Sequence, residues 1–111
     1  MNAILIDPEA KSIEYVQVPD DERRSLIELR RLVHAGSEGL DFAYPFEGQL
    51  GEMIIVGGNS ALQDPPLKRF TVPGSKRPIY GRAVLMGFNK IGQTRATKMT
   101  VDDVSKWIEF E

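Results

Sequence analysis

Apolar positions along this chain change their spacing several times, and each change marks an element. Residues 3–7 (AILID) are a short apolar run stopped by the turn-initiating pair Asp7-Pro8, and residues 13–18 (IEYVQV) are rich in β-branched and aromatic side chains. Both are predicted strands. Only residues 8–12 separate them, so an antiparallel hairpin is the economical connection. Asp20, Asp21 and Glu22 then place negative charge at a helix start, where the first free amides and the macrodipole favour it. Ser25-Leu26-Ile27-Glu28 offers a later start as a capping box. Leu26, Leu29, Leu32 and Val33 recur at spacings of three and four, with Arg23, Arg24, Arg30 and Arg31 mostly off that stripe. Gly36 is the natural residue to end the helix.

In residues 40–46 (LDFAYPF), Leu40, Phe42, Tyr44 and Phe46 are two apart, which predicts a strand with one apolar face. Pro45 has no amide for a ladder, which puts that strand at a sheet edge or leaves it pairing on one side only at that point. Residues 53–56 (MIIV) read as a strand buried on both faces and ended by Gly57-Gly58-Asn59, and residues 60–67, with Pro65-Pro66, as a rigid connection. A short strand follows at 69–72, then a Pro73-Gly74 turn and the longest apolar strand, at 79–88. Within it Gly81 and Gly87 mark a bulge, a twist or the close approach of another backbone. After a turn at 89–92, residues 93–99 are expected to pair briefly with that strand. Thr100-Val101-Asp102-Asp103 is a capping signal for a final helix, whose Val101, Val104, Trp107 and Ile108 share a face. The order β-β-α-β-β-β-β-(β)-α predicts a single α+β domain over residues 1–111. Its sheet is mostly antiparallel, of five to seven short strands, with two helices packed on it.

Composition narrows the picture without naming an activity. A length of 111 residues suffices for a hydrophobic core without staples, and 41% apolar with 27% charged residues is ordinary for a folded protein. The absence of cysteine excludes disulfides, thiolate metal sites and a cysteine nucleophile, and suits a reducing compartment. The N-terminus lacks a basic segment before its apolar run, and no stretch reaches the eighteen or so apolar residues of a membrane span, so a cytoplasmic, non-membrane protein is expected. Charge by segment is more informative than the total of -2: residues 1–64 carry -7, residues 65–98 carry +8, and the remainder -3. Lys68, Arg69, Lys76, Arg77, Arg82, Lys90, Arg95 and Lys98 all fall in a stretch without a single acid. Two uses of that charge compete. It is either a solvated face balanced by the acidic first half, or a contiguous patch that attracts nucleic acid, a phosphorylated ligand or an acidic protein.

Catalytic signatures are lacking: there is no Gly-x-x-x-x-Gly-Lys-Ser/Thr, no Gly-x-Ser-x-Gly and no His-Glu-x-x-His. With one histidine and no cysteine, the usual triads lose their commonest base and nucleophile. No catalytic residue is assigned, and a non-enzymatic protein without cofactor or metal is expected. His34, in the last turn of the first helix, reads as a structural or surface residue. Asp7, Glu9, Asp41 and Asp64 offer carboxylates for acid–base work or magnesium, but their spacing selects no pair. The expected macromolecule-binding set is the eight cations together with Tyr80, since guanidinium and aromatic faces combine to hold nucleic acid. Its partner is nucleic acid or an acidic host protein. The alternative is a small-ligand protein, either a nucleotide binder or a phosphate-ester enzyme, using Gly57, Gly58 and Asn59 as an anion nest with Arg82. A third reading is a structural subunit that forms a homodimer through the edge strand at 40–46.

The order of short features resembles a family of small uncharacterised phage and prophage proteins. The likeness runs through residues 1–8 (MNAILIDP), the helix 25–33 (SLIELRRLV), and the connection 59–69 with its Pro-Pro and following basic residues. It continues in 79–87 (IYGRAVLMG), similar to the family's Ile-x-Gly-x-Ala-Val-Ile-x-Gly, and in the closing helix, so it covers nearly the whole chain. Where the family tends to read Pro-Pro-Asn-Arg this chain has Pro66-Leu67-Lys68-Arg69, and its hairpin at 70–78 is longer. The resemblance implies a mobile-element setting and supplies no catalytic residues.

Overall fold

The apolar residues of the middle strands alternate between two cores. The computed structural model describes residues 1–43, 51–73, 77–89 and 91–111. Its elements are β1 (Asn2–Asp7), β2 (Ser12–Gln17), α1 (Glu22–Leu32), β3 (Leu40–Ala43), β4 (Glu52–Gly57), a 3₁₀ turn (Ser60–Leu62), β5 (Arg69–Thr71), β6 (Ile79–Tyr80), β7 (Ala83–Phe88), β8 (Thr94–Arg95), α2 (Val101–Ser105) and β9 (Glu109–Phe110). A six-stranded antiparallel sheet has the order β2-β1-β7-β4-β3 with β8 on β7, and a second sheet has the order β6-β5-β9. The fold is α+β and mostly antiparallel.

Ala3, Leu5, Met53, Ile55, Val84 and Met86 face α1, where Leu29, Leu32 and Val33 cover them. Ile4, Ile6, Ile54, Ala83 and Leu85 face the other way, onto Phe70, Val72 and Ile79 of the small sheet and Val104 of α2. The large sheet is thus the middle of three layers, which is why MIIV and AVLM read as unbroken apolar runs. The predicted β1–β2 antiparallel hairpin forms, with Ile4 opposite Tyr15 and Ile6 opposite Ile13. β3 is a terminal strand of the large sheet, while residues 44–46 of the predicted strand lie outside the described residues. Among the described residues no helix is long and apolar enough to cross a membrane.

Four details depart from the pattern. The earlier of the two helix starts is the real one: Asp21 caps α1 by accepting from the Arg24 amide at 2.9 Å. Ser25 lies inside the helix, buried, its hydroxyl donating to the Glu22 carbonyl. It takes the place on the buried face that the apolar stripe assigned to Leu26, which is 42% exposed. The helix also ends early, capped by Val33, and His34 rather than Gly36 adopts the left-handed conformation, with φ of 57°. The third departure is β9, a two-residue strand after α2 that pairs Phe70 with Phe110.

The fourth matters most for function. The long strand expected at 79–88 is broken at Gly81-Arg82, and its halves belong to different sheets. Gly81 has φ of 79°, in the region that favours glycine, and it turns the chain from β6 into β7. Gly87, by contrast, marks a close approach. A Cβ there would lie 2.7 Å from the Ala96 carbonyl oxygen and 3.0 Å from that of Gly51. The segment after β8 is strapped down by buried Glu52, whose carboxylate accepts from the Thr97 hydroxyl at 3.1 Å and the Lys98 amide at 2.7 Å.

Candidate functional site: a cleft at the strand break

Three pieces of chain meet where β6 gives way to β7. Arg69 lies opposite Tyr80 in the small sheet, and one rung further the Gly81 amide donates to the Lys68 carbonyl at 2.8 Å. This bond, with the left-handed turn at Gly81, sets Lys68 beside the break and leaves Arg82 between the two sheets. The end of α1 delivers His34 from the opposite layer, and the turn after β4 delivers Ser60. Between them lies a cleft of about 450 Å³, lined by Asp7, Pro8, Glu9, Val33, His34, Glu38, Ser60, Gln63, Leu67, Lys68, Gly81 and Arg82. That volume is in the range of small-ligand sites, roughly 300–1,000 Å³.

Arg82 organises the cleft. Its Nη1 is 2.6 Å from His34 Nε2. A guanidinium has only donors, so this contact is a hydrogen bond when Nε2 is the acceptor, the tautomer with its proton on Nδ1. The Nε of Arg82 is buried and makes no hydrogen bond, and among the described residues no carboxylate lies within ion-pair distance of this guanidinium. Two of the three acids that line the cleft, Asp7 and Glu38, accept hydrogen bonds from nearby backbone amides. One Asp7 carboxylate oxygen accepts from the Glu9 and Ala10 amides, and Glu38 accepts from the Gly36 amide at 3.0 Å. That last bond holds the Glu38 carboxyl below its ordinary range. His34 itself is strained: a side-chain-bearing residue in the left-handed region costs roughly 1–2 kcal/mol, and such outliers gather at ligand sites. Chemically the arrangement offers donors and positive charge to an oxyanion. No group of three potential metal ligands converges among the described residues.

The residues singled out from sequence fall in several places. Lys68 and Arg82 are in the cleft. Arg69 and Tyr80 are on the adjoining rung, the guanidinium 5.8 Å from the ring centroid and its Nη1 donating to the phenol oxygen at 3.1 Å. Arg69 Nε also pairs with Glu111, and its proton is held more tightly than usual, first by the Tyr80 bond and then by the Glu111 charge. Arg77 is exposed just before β6. Arg95 stands apart, in a second cleft with Asp20 and Glu22, and is paired with Gly87. Arg82 and Gly87 are five residues apart, so the two arginines mark opposite ends of β7, about 17 Å apart. Lys98 is exposed beyond it. Lys76 and Lys90 lie outside the described residues. The Gly57-Gly58-Asn59 turn works indirectly: the Gly58 amide is engaged by the Gly39 carbonyl at 3.0 Å, and the Asn59 carbonyl accepts from Leu62. Gly57 packs so closely on Ser60 that a Cβ would be 3.1 Å from its hydroxyl, so the turn's part is to carry Ser60 to the cleft.

His34, Ser60 and Gln63 are lining residues that pattern reading did not select. For His34 the only trace in the sequence is negative: a non-glycine residue occupies the helix-ending position. No protein-family model, no curated protein and no solved structure matches the chain.

Proposed function

We propose that this chain is a non-enzymatic binding protein that receives a phosphate-class anion in the cleft at the strand break. The observation that carries the reading is Arg82, a guanidinium with a buried, unpartnered Nε and no carboxylate in range among the described residues, set beside Lys68 and Ser60. An oxyanion is acceptor-only, and its charge-assisted bonds are what this donor set lacks. The cleft volume supports a ligand of nucleotide size. Thermal unfolding in the presence of inorganic phosphate and a panel of nucleotides tests this directly. A ligand at a hundred times its dissociation constant is expected to add about 2.7 kcal/mol, a rise on the order of 10 °C for a chain of this size. An unchanged melting temperature with every phosphate-bearing compound rejects the reading.

A second reading extends the same chemistry to a macromolecule, and the Arg69–Tyr80 stack favours it. A single nucleic-acid strand crossing Lys68, Arg69 and Arg82 would set its phosphates on the cations and a base against Tyr80. Three phosphate contacts predict a log–log salt slope of about -2, measured by fluorescence anisotropy with a short oligonucleotide. Salt-insensitive binding, or preference for an acidic protein surface over the oligonucleotide, counts against the strand. The motif resemblance supports the setting of either reading, an accessory protein of a phage, prophage or plasmid that acts in the host cytoplasm.

A further inference from the structure

We infer that His34 is a proton-coupled positioning residue of the cleft: it accepts a hydrogen bond from Arg82 when the cleft is empty, and takes up a proton and turns donor when an anion arrives. The inference rests on the anion-binding reading above and adds to it a residue, a direction of proton flow and a pH signature.

The empty state is fixed by hydrogen-bond inventory. Arg82 Nη1 and His34 Nε2 are 2.6 Å apart, and arginine donates at every nitrogen. The contact is attractive only while Nε2 keeps its lone pair. A protonated imidazole would bring a second donor and a second positive charge to the same point. His34 therefore acts as a neutral stand-in for the acceptor that Arg82 lacks, since no carboxylate among the described residues does so and Nε stays unpartnered.

An anion changes the balance. A divalent oxyanion between Arg82 and Lys68 supplies the missing acceptors and adds negative charge beside the ring, so Arg82 no longer needs the lone pair. Proton uptake at Nε2 then converts His34 into a donor to the same anion. Imidazole exchanges its proton within the accessible pH range, which no other lining side chain ordinarily does. The charged groups that line the cleft with it are Asp7 and Glu9 from the β1–β2 turn, Glu38 beyond α1, Lys68 before β5 and Arg82 itself; Arg30 and Arg31 are in the last turn of α1, and Arg31 is paired with Glu28. Arg82 and Lys68 are thus the cations that share the cleft with the ring, and Asp7, Glu9 and Glu38 the anions. The anion tips this mixture. The left-handed backbone at His34 fits a positioning role, because it fixes the direction in which the ring leaves the helix.

The chain has one histidine, so its ring can be observed without ambiguity. Inorganic sulfate is the appropriate probe, since it stays divalent between pH 5 and 8 and contributes no proton of its own. In ¹⁵N-edited NMR of the sulfate-free protein at pH 7, His34 is expected to be the neutral tautomer protonated at Nδ1. Saturating sulfate should convert it to imidazolium. Calorimetry in two buffers of different ionisation enthalpy should show uptake approaching one proton per site, and sulfate should bind at least tenfold more tightly at pH 6 than at pH 8. His34→Gln keeps an acceptor for Arg82 but cannot be protonated, so it should bind sulfate with no proton uptake and a flat pH profile. His34→Asn, which tolerates the left-handed backbone, serves as a second variant. Sulfate binding that depends on Arg82 but shows no proton uptake, or an equal pH slope in His34→Gln, overturns this inference and leaves the anion cleft standing. No sulfate binding at any pH overturns both.

Discussion

Truncating Phe70 to alanine is expected to lower the unfolding free energy by about 3–5 kcal/mol, the usual cost of removing a fully buried aromatic ring. Phe70 is completely inaccessible and is the central side chain of the smallest sheet, between β6 and β9. It packs on the large sheet's Ile4, Ile6, Ile54 and Leu85 cluster, and meets Phe110 edge to face with centroids 6.4 Å apart and planes at 70°. Edge-to-face pairs add roughly 0.5–1.5 kcal/mol beyond burial. Domains of this size are stable by only about 5–15 kcal/mol, so the loss is a large share of the whole. Calorimetric unfolding should show a fall of about 12 °C or more. Phe70→Leu, which refills most of the volume, should recover the greater part. A Phe70→Ala protein that melts within 2–3 °C of the parent would mean that the small sheet contributes little to the common core.

Arg82→Met is expected to act in the opposite sense on stability. The methionine keeps the apolar stem and removes a guanidinium whose Nε is buried without a partner. Removing a desolvated, incompletely bonded charge is often neutral or stabilising, so the melting temperature should hold or rise. Binding of phosphate or sulfate should meanwhile weaken by about 2 kcal/mol or more, at least thirtyfold, as for other charges that contact a partner directly. Function and stability thus separate in one substitution, as expected where a protein keeps a costly group for a ligand. Undiminished anion affinity in this variant would remove Arg82 from the site. A fall in melting temperature comparable to that of Phe70→Ala would recast Arg82 as a structural residue.

Signals confined to neighbouring residues were legible in the sequence. The β1–β2 hairpin, the two-faced burial of β4 and the Thr100–Asp103 capping box each follow from side chains within a few positions of one another. What was not legible depends on partners far away. Residues 79–88 look like one strand because both halves are buried. Nothing local says that Ile79 faces the small sheet's core while Ala83 begins a strand of the large one. Glu109 and Phe110 become a strand only because β5 lies alongside them. At the first helix two local rules conflicted. The capping box at Ser25 lost because that serine is needed on the buried face, and the glycine at 36 was pre-empted by His34. The cleft had the same difficulty, since Arg82 was identified from charge whereas its partner is 48 positions away and was read as an ordinary surface residue.

The joint at Gly81 gives the cleft a mechanical meaning as well as a chemical one. Lys68 leads into the thin outer sheet, His34 follows the end of the helix across the molecule, and Arg82 sits at the pivot between them. Any rocking of one layer against the next must open or narrow the gap among these three. A guest that grips the lysine, the arginine and the histidine together therefore acts as a bolt through all three layers, and its affinity is bound to the rigidity of the whole stack.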